Sequence, residues 1–156
     1  MAVPLAGAPA MPRAWRWPST WAERERLLER QHDRLEALLN DLLVLHQPQR
    51  PHWSPAEAKA CDGLCRRLLW NLRLHLRLEE RWLAAQGCLC PGHRAAHADA
   101  ARGAIRGLLA SSADRSARRA WLQDLRGWFA SHRAGPDALV YAAARAAAVP
   151  SLPVHP

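Results

Sequence analysis

At 156 residues, nearly half of them hydrophobic, the chain can bury a sizeable single core. A formal charge of +8, with Lys59 the one lysine among 22 basic residues, suggests an acidic partner or surface, or simply a genome rich in arginine codons. No basic run or aromatic-interleaved basic patch argues for nucleic acid, and no apolar run approaches the ~18 residues of a membrane span.

The N-terminus lacks the early positive charge and long apolar core of a signal peptide. Four cysteines without secretory context read as reduced thiols or ligands, so a cytoplasmic location is expected. Strand signals are nearly absent, and the abundance of alanine, leucine and arginine favours helix.

Residues 1–18, rich in proline and alanine, are expected to form an irregular arm ahead of a helical domain over 19–148. Thr20-Trp21-Ala22-Glu23 is a capping box that starts a helix running to about His46. Its apolar seam is Leu28, His32, Leu35, Leu39 and Leu42. Gln47–Pro55 holds three prolines and reads as a loop. Ser54-Pro55-Ala56-Glu57 is a second capping box, with proline at the first helical position. The helix it opens runs to about Gln86, and Gly87–Gly92 breaks it. His93 and His97 open a third helix. Ser111–Ser116 is a turn, and a fourth helix places Leu125, Trp128 or Phe129, and His132 on one face. Gly135-Pro136 interrupts that helix. Asp137–Ala148 is a short last helix and 149–156 a tail. The fold class is all-α: an up-down-up-down antiparallel four-helix bundle.

The second helix carries the most informative stretch, Leu72–Leu83. His75 and Glu79 are one turn apart and share a face with Leu68, Leu72 and Trp82. A carboxylate and an imidazole in an apolar seam are costly unless something pairs them: a metal, or a mutual hydrogen bond. The same placement recurs at His32, His93, His97 and His132. Five histidines and a carboxylate converging in one small bundle make an expensive core without metal. Facing helices hold metal centres in this way, and five imidazoles exceed the usual need of one ion. Two ions balanced by two carboxylates and a hydroxide leave a nearly neutral cluster. His46, His52 and His155 read as loop or tail residues outside the site.

The motifs ERQH ending at His32, HLRLEE from His75, HRAAH from His93 and HRAGPD from His132 to Asp137 resemble the hemerythrin family, bacterial type, over roughly Trp17–Tyr141. Trp17 resembles that family's early tryptophan. The resemblance implies two iron ions in an oxygen-bridged non-haem centre. His93, His97 and His132 would hold one iron, His32 and His75 the other, and Glu79 and Asp137 would bridge them. The second iron would keep an open position for dioxygen. Reversible dioxygen binding rather than catalysis is implied, for storage, sensing or delivery to an acidic oxygen-using enzyme. The alternative is a di-iron enzyme acting on peroxide, iron or nitric oxide, or a metal-dependent regulatory module. Leu28, Leu76, Trp128, Phe129 and Arg133 are the candidate oxygen-pocket residues.

Three features depart from the family pattern. Arg133 stands where an apolar pocket residue is usual, and is expected to snorkel outward rather than reach the open iron. Leu76 replaces a common aromatic, so a looser pocket is expected. Cys88 and Cys90 read as loop thiols, since C-x-C with one nearby histidine lacks a fourth zinc ligand. Asp137, five residues after His132, lies ~140° away on a straight helix, so Gly135-Pro136 must break the helix for both to face one cluster. Asp137 also suits the N-terminus of the last helix.

Overall fold

The computed structural model describes residues 17–50 and 52–148; the expected arm up to residue 16 and the tail from 149 lie outside the described residues. Five helices, α1 (Trp21–Leu45), α2 (Pro55–Ala85), α3 (Pro91–Ala110), α4 (Arg115–His132) and α5 (Ala138–Ala148), account for nearly all of it, and the described residues form no strand.

Local chemistry sets the helix ends. Both expected capping boxes form: Thr20 Oγ1 accepts from the Glu23 N–H at 3.2 Å, and Ser54 Oγ from the Glu57 N–H at 3.2 Å. Gly87, at φ 68°, ends α2 in a Schellman turn, with the Cys88 N–H on the Leu83 carbonyl at 2.9 Å. Cys90 then caps α3 through its Sγ, which accepts from the His93 N–H at 3.3 Å, and Pro91 follows at the first position. Asp114 caps α4, accepting from Ser116 and Ala117 at 2.8 and 3.1 Å, so the turn after α3 is shorter than the sequence suggests.

The expected break at Gly135-Pro136 is not a break. Arg133–Asp137 forms a π-helical turn that joins α4 to α5 without a gap. Its wider i→i+5 period brings residues five apart back toward one face, and it accommodates the missing proline N–H.

α1 packs on α2, α2 on α3, α3 on α4, and α4 on α1. A Cβ on Gly107 would collide with the Trp121 ring, so glycine there permits the close approach of α3 and α4. The core has two apolar regions. The larger gathers leucines of α1, α2 and α4, such as Leu39, Leu68 and Leu122, with Leu108 and Phe129. The smaller holds Leu28, Leu78, Trp82, Leu83, Tyr141 and Ala144, with Trp17 and Trp21 against it. His32 on α1, and His132 and Asp137 between Phe129 and Tyr141, fall between these two regions. No described helix is long and apolar enough to cross a membrane.

Candidate metal centre

Each candidate ligand projects from a different turn of the bundle. His32 comes from α1, His75 and Glu79 from successive turns of α2, His93 and His97 from the first turns of α3, His132 from the end of α4, and Asp137 from the π turn. All seven are buried, none more than 6% exposed. The structure brings them into two groups that share Glu79: Glu79, His93, His97, His132 and Asp137 in one, His32, His75 and Glu79 in the other.

The carboxylates straddle the two groups. Glu79 turns Oε2 to His97 at 3.2 Å and His93 at 3.7 Å, and Oε1 to His32 at 3.9 Å. Asp137 turns Oδ1 to His132 at 3.0 Å and His93 at 3.3 Å, and Oδ2 to His32 at 3.3 Å. Each carboxylate thus offers one oxygen to each histidine set.

The donor atoms are short of hydrogen-bond partners. His32 Nε2, His75 Nε2, His93 Nε2, both Glu79 oxygens and Asp137 Oδ1 are buried without one. His97 Nδ1 faces Glu80 Oε1 at 3.1 Å and His75 Nδ1 faces the Gln31 amide oxygen at 3.0 Å. Those oxygens only accept, so each imidazole donates from Nδ1 and keeps a lone pair on Nε2. His97 Nε2 meets His132 Nε2 at 2.9 Å, lone pair toward ring nitrogen. Orphaned lone pairs aimed inward from a dry core are what a cation satisfies, so the residues present fit a metal.

The charge states agree. Burial pushes His75 down to about 3, which keeps it a neutral donor. Burial opposes the charge on His93, yet the Asp137 and Glu79 carboxylates raise it to about 9. His32 is raised in the same sense: burial lowers it, and Asp137 and Glu79 outweigh burial. Burial works against ionised Glu79 and Asp137 too, and the facing histidines hold both carboxyls well below the usual range. A cation entering the site takes over from imidazolium protons, so its binding releases protons.

The candidate pocket residues divide. Phe129 sets its ring edge-on to His32 and His75, with centroids 5.6 and 6.2 Å apart, on the side with fewer protein ligands. Leu28, one turn before His32, packs with Trp82, Leu83 and Tyr141. Trp128 instead stacks on His132 at 4.7 Å and so belongs to the three-histidine side. Leu76 is buried in the leucine core and also lines a groove with Glu80 and His97. Arg133 does not enter the pocket. Its guanidinium meets Glu29, Asp33 and Glu36 of α1 at 3.0, 2.8 and 3.0 Å, and these carboxylates hold it outward.

Four residues that the sequence reading left without a role support the ligands. Glu80 and Gln31 orient His97 and His75, and Glu29 Oε2 lies 3.6 Å from His32 Nδ1. Tyr141 lays its ring over His32 at 5.9 Å and its edge against Trp82 at 4.9 Å. The cue was adjacency: Glu80 and Gln31 neighbour candidate ligands, and Tyr141 is one turn past Asp137.

His46 lies just past α1 and outside the site, as the sequence suggests, but it is buried, 3% exposed, and its Nδ1 meets the Leu42 carbonyl at 2.6 Å. It continues the α1 seam one turn past Leu42, but lies at the end of the bundle remote from the site.

No curated protein and no solved structure matches the chain. Residues 25–144 match the hemerythrin HHE cation binding domain, and that span contains all seven candidate ligands. The chain belongs to the hemerythrin family.

Proposed function

We propose that this chain binds dioxygen reversibly at a non-haem di-iron centre, for storage, delivery or sensing rather than for turnover. The observation that carries the reading is the split of each bridging carboxylate, one oxygen to each histidine set. That split suits two ions side by side rather than one. The sets are unequal, three histidines against two, which leaves the His32–His75 side a protein ligand short. Histidine-rich, carboxylate-poor surroundings favour binding over the high oxidation states that oxidising di-iron enzymes use.

Two ferrous ions would supply the electrons that dioxygen accepts on binding. The protein's own part is legible in its side chains. His93, His97 and His132 would fill the positions of one iron, and His32 and His75 would hold the other. Phe129 and Leu28 keep the short-handed side apolar, which restrains water and proton entry. Glu80 and Gln31 fix the tautomers of His97 and His75.

The reading includes an up-down-up-down arrangement. Cross-helix pairs support it: His46 near the end of α1 meets Cys61 early in α2, and His97 early in α3 meets Glu80 late in α2. Arg133, just past α4, meets Glu29 in the first half of α1. A cytoplasmic setting is also part of the reading, on cysteine usage alone.

The test is an anaerobic-to-aerobic optical titration with iron quantified. About two irons per chain and a visible band that appears with oxygen and fades on its removal are the expected result. Full iron with irreversible oxidation on the first exposure would turn the function toward chemistry.

A further inference from the structure

We propose that the outer face of α2 is a docking surface for an acidic protein partner. The sequence shows no contiguous basic run, yet helical spacing builds a basic stripe. Arg66, Arg67, Trp70, Arg73, Leu74, Arg77 and Arg81 fall within an arc of ~120°, opposite Glu79. All seven are exposed, Trp70 at 65%. The stripe is ~22 Å long at 1.5 Å per residue.

Most of its charge is uncompensated among the described residues. Between Gly63 and Ala85 no exposed position of α2 is acidic. Glu79 is buried in the centre, and Glu80 is committed to His97. Arg66 pairs with Asp62, but no carboxylate among the described residues pairs with Arg67, Arg73, Arg77 or Arg81. α3 adds Arg94 and Arg106 as exposed cations, while its Asp99 is taken by Arg102. α1 is built the other way: Glu29, Asp33 and Glu36 already neutralise Arg133.

Composition decides the class of partner. Exposed tryptophan among arginines is the residue set that anchors protein interfaces. A groove of about 360 Å³ runs along the stripe between α1 and α2, lined by Leu27, Gln31, Arg34, Arg67, Asn71 and Leu74. It accepts an apolar side chain between Leu27 and Leu74, with arginines on its rim for carboxylates. A membrane-surface helix needs a broad apolar face, and that face of α2 is spent on the core. Single-stranded nucleic acid is read by several stacked aromatics, and this stripe offers one. The groove also holds Gln31, the partner of His75, so an acidic protein seated there covers the outermost support of the short-handed side. That last consequence rests on the metal reading; the docking itself does not.

The probe is a fluorescent synthetic peptide of about 16 residues, enough to run the stripe as a helix, with Glu and Asp at three- and four-residue spacing around a central leucine. Oligodeoxythymidylate and phosphatidylserine-containing vesicles are run at the same ionic strength. Saturable peptide binding is expected, weakened about tenfold or more by Arg73→Glu/Arg77→Glu and about tenfold by Trp70→Ala. All three positions are exposed, so helix content and melting temperature should stay at the parent's values. Four results overturn the proposal: no peptide binding, charge reversal without effect, loss on charge reversal but not on Trp70→Ala, or tighter binding of oligonucleotide or vesicles. Anisotropy needs no metal or oxygen signal, so failure here leaves the oxygen reading standing.

Discussion

The two ends of the bundle bury polar groups in opposite ways. At the end far from the candidate centre, Arg118 is only 5% exposed, but its guanidinium donates to Ser111 Oγ at 2.8 Å and the Leu108 carbonyl at 3.1 Å. It also reaches Asp62 Oδ1 at 3.3 Å. Arg115 donates to the Leu45 and Gln47 carbonyls and lies over the Trp53 ring at 4.3 Å. His46 is tied to Leu42. The Trp121 indole N–H, held against Gly107, and the Nε–H of Arg115 are exceptions. These groups close the α1–α2 and α3–α4 turns, and the fold itself supplies their partners. At the other end, three histidines and two carboxylates bury atoms that the fold does not satisfy. A bundle able to brace three polar side chains at one end had the means to brace the rest. Unsatisfied polar groups mark the end where a ligand completes the structure.

The largest test of that difference is to take away ligands. Glu79 serves both groups, so Glu79→Ala should leave close to no bound metal, while His75→Ala should leave about one metal per chain. Metal analysis reads both directly. Loss of a ligand that binds only the folded chain also removes its stabilisation. At about a thousandfold over Kd that is ~4 kcal/mol, or roughly 10 °C in Tm for a chain of this size. Equal metal content in the two variants would show that the groups are not built around a shared carboxylate.

The converse test sits at the far end. Arg118→Met strips a buried cation from Ser111, Leu108 and Asp62, and should cost about 2–3 kcal/mol, since Asp62 is partly exposed and relaxes into water. Metal content should not change. A urea titration with parallel metal analysis separates the two effects; a fall in metal content would mean that the two ends are coupled.

His46 refines the far end further. Burial lowers its folded pKa, and Arg118, Arg115 and Arg119 push the same way against the Leu42 hydrogen bond. Below the unfolded value of ~6.5, the unfolded chain takes up a proton that the folded one resists, so stability falls as pH falls through that range. His46→Gln should flatten this slope relative to the parent. The difference in urea midpoint between about pH 7.5 and about pH 5.5, parent against variant, isolates it, because the other histidines titrate alike in both.

What the sequence made legible follows from spacing. Capping boxes and seams at three and four residues set out α1 and α2, and the histidines on those seams pointed to the cluster. The π turn was not legible. Straight-helix geometry puts Asp137 on the wrong side of His132, and only a widened turn, which no residue pattern announces, reunites them. The basic stripe of α2 escaped for the opposite reason: it is regular, but a search for contiguous charge does not see a helical period. Trp128 was misplaced because a seam shows burial but not which side of a cluster a ring meets, and the burial of His46 escaped because it lies just past the end of α1.

Arg133 gives the smallest expected effect and the finest distinction, being charged like the far-end residues but adjacent to a ligand. If it acted on bound anions, a permanent cation with five donors beside the short-handed side would hold azide and speed oxidation. Its guanidinium instead spans Glu29, Asp33 and Glu36 on α1, carboxylates that are 41%, 69% and 39% exposed. These pairs are screened, so together they contribute ~1 kcal/mol or less. Its one line to the centre runs through Glu29, whose Oε2 also lies 3.6 Å from His32 Nδ1. With Arg133→Ile, Glu29 loses a neutralising cation but keeps its carboxylate beside His32, so His32 remains a supported donor. Azide affinity and autoxidation rate should therefore stay within a factor of about two of the parent, with Tm lowered by a few degrees at most. A change near tenfold in either would mean that the guanidinium leaves its three carboxylates once the centre is loaded. Arg133 would then belong with the unsatisfied end of the molecule rather than with its braces.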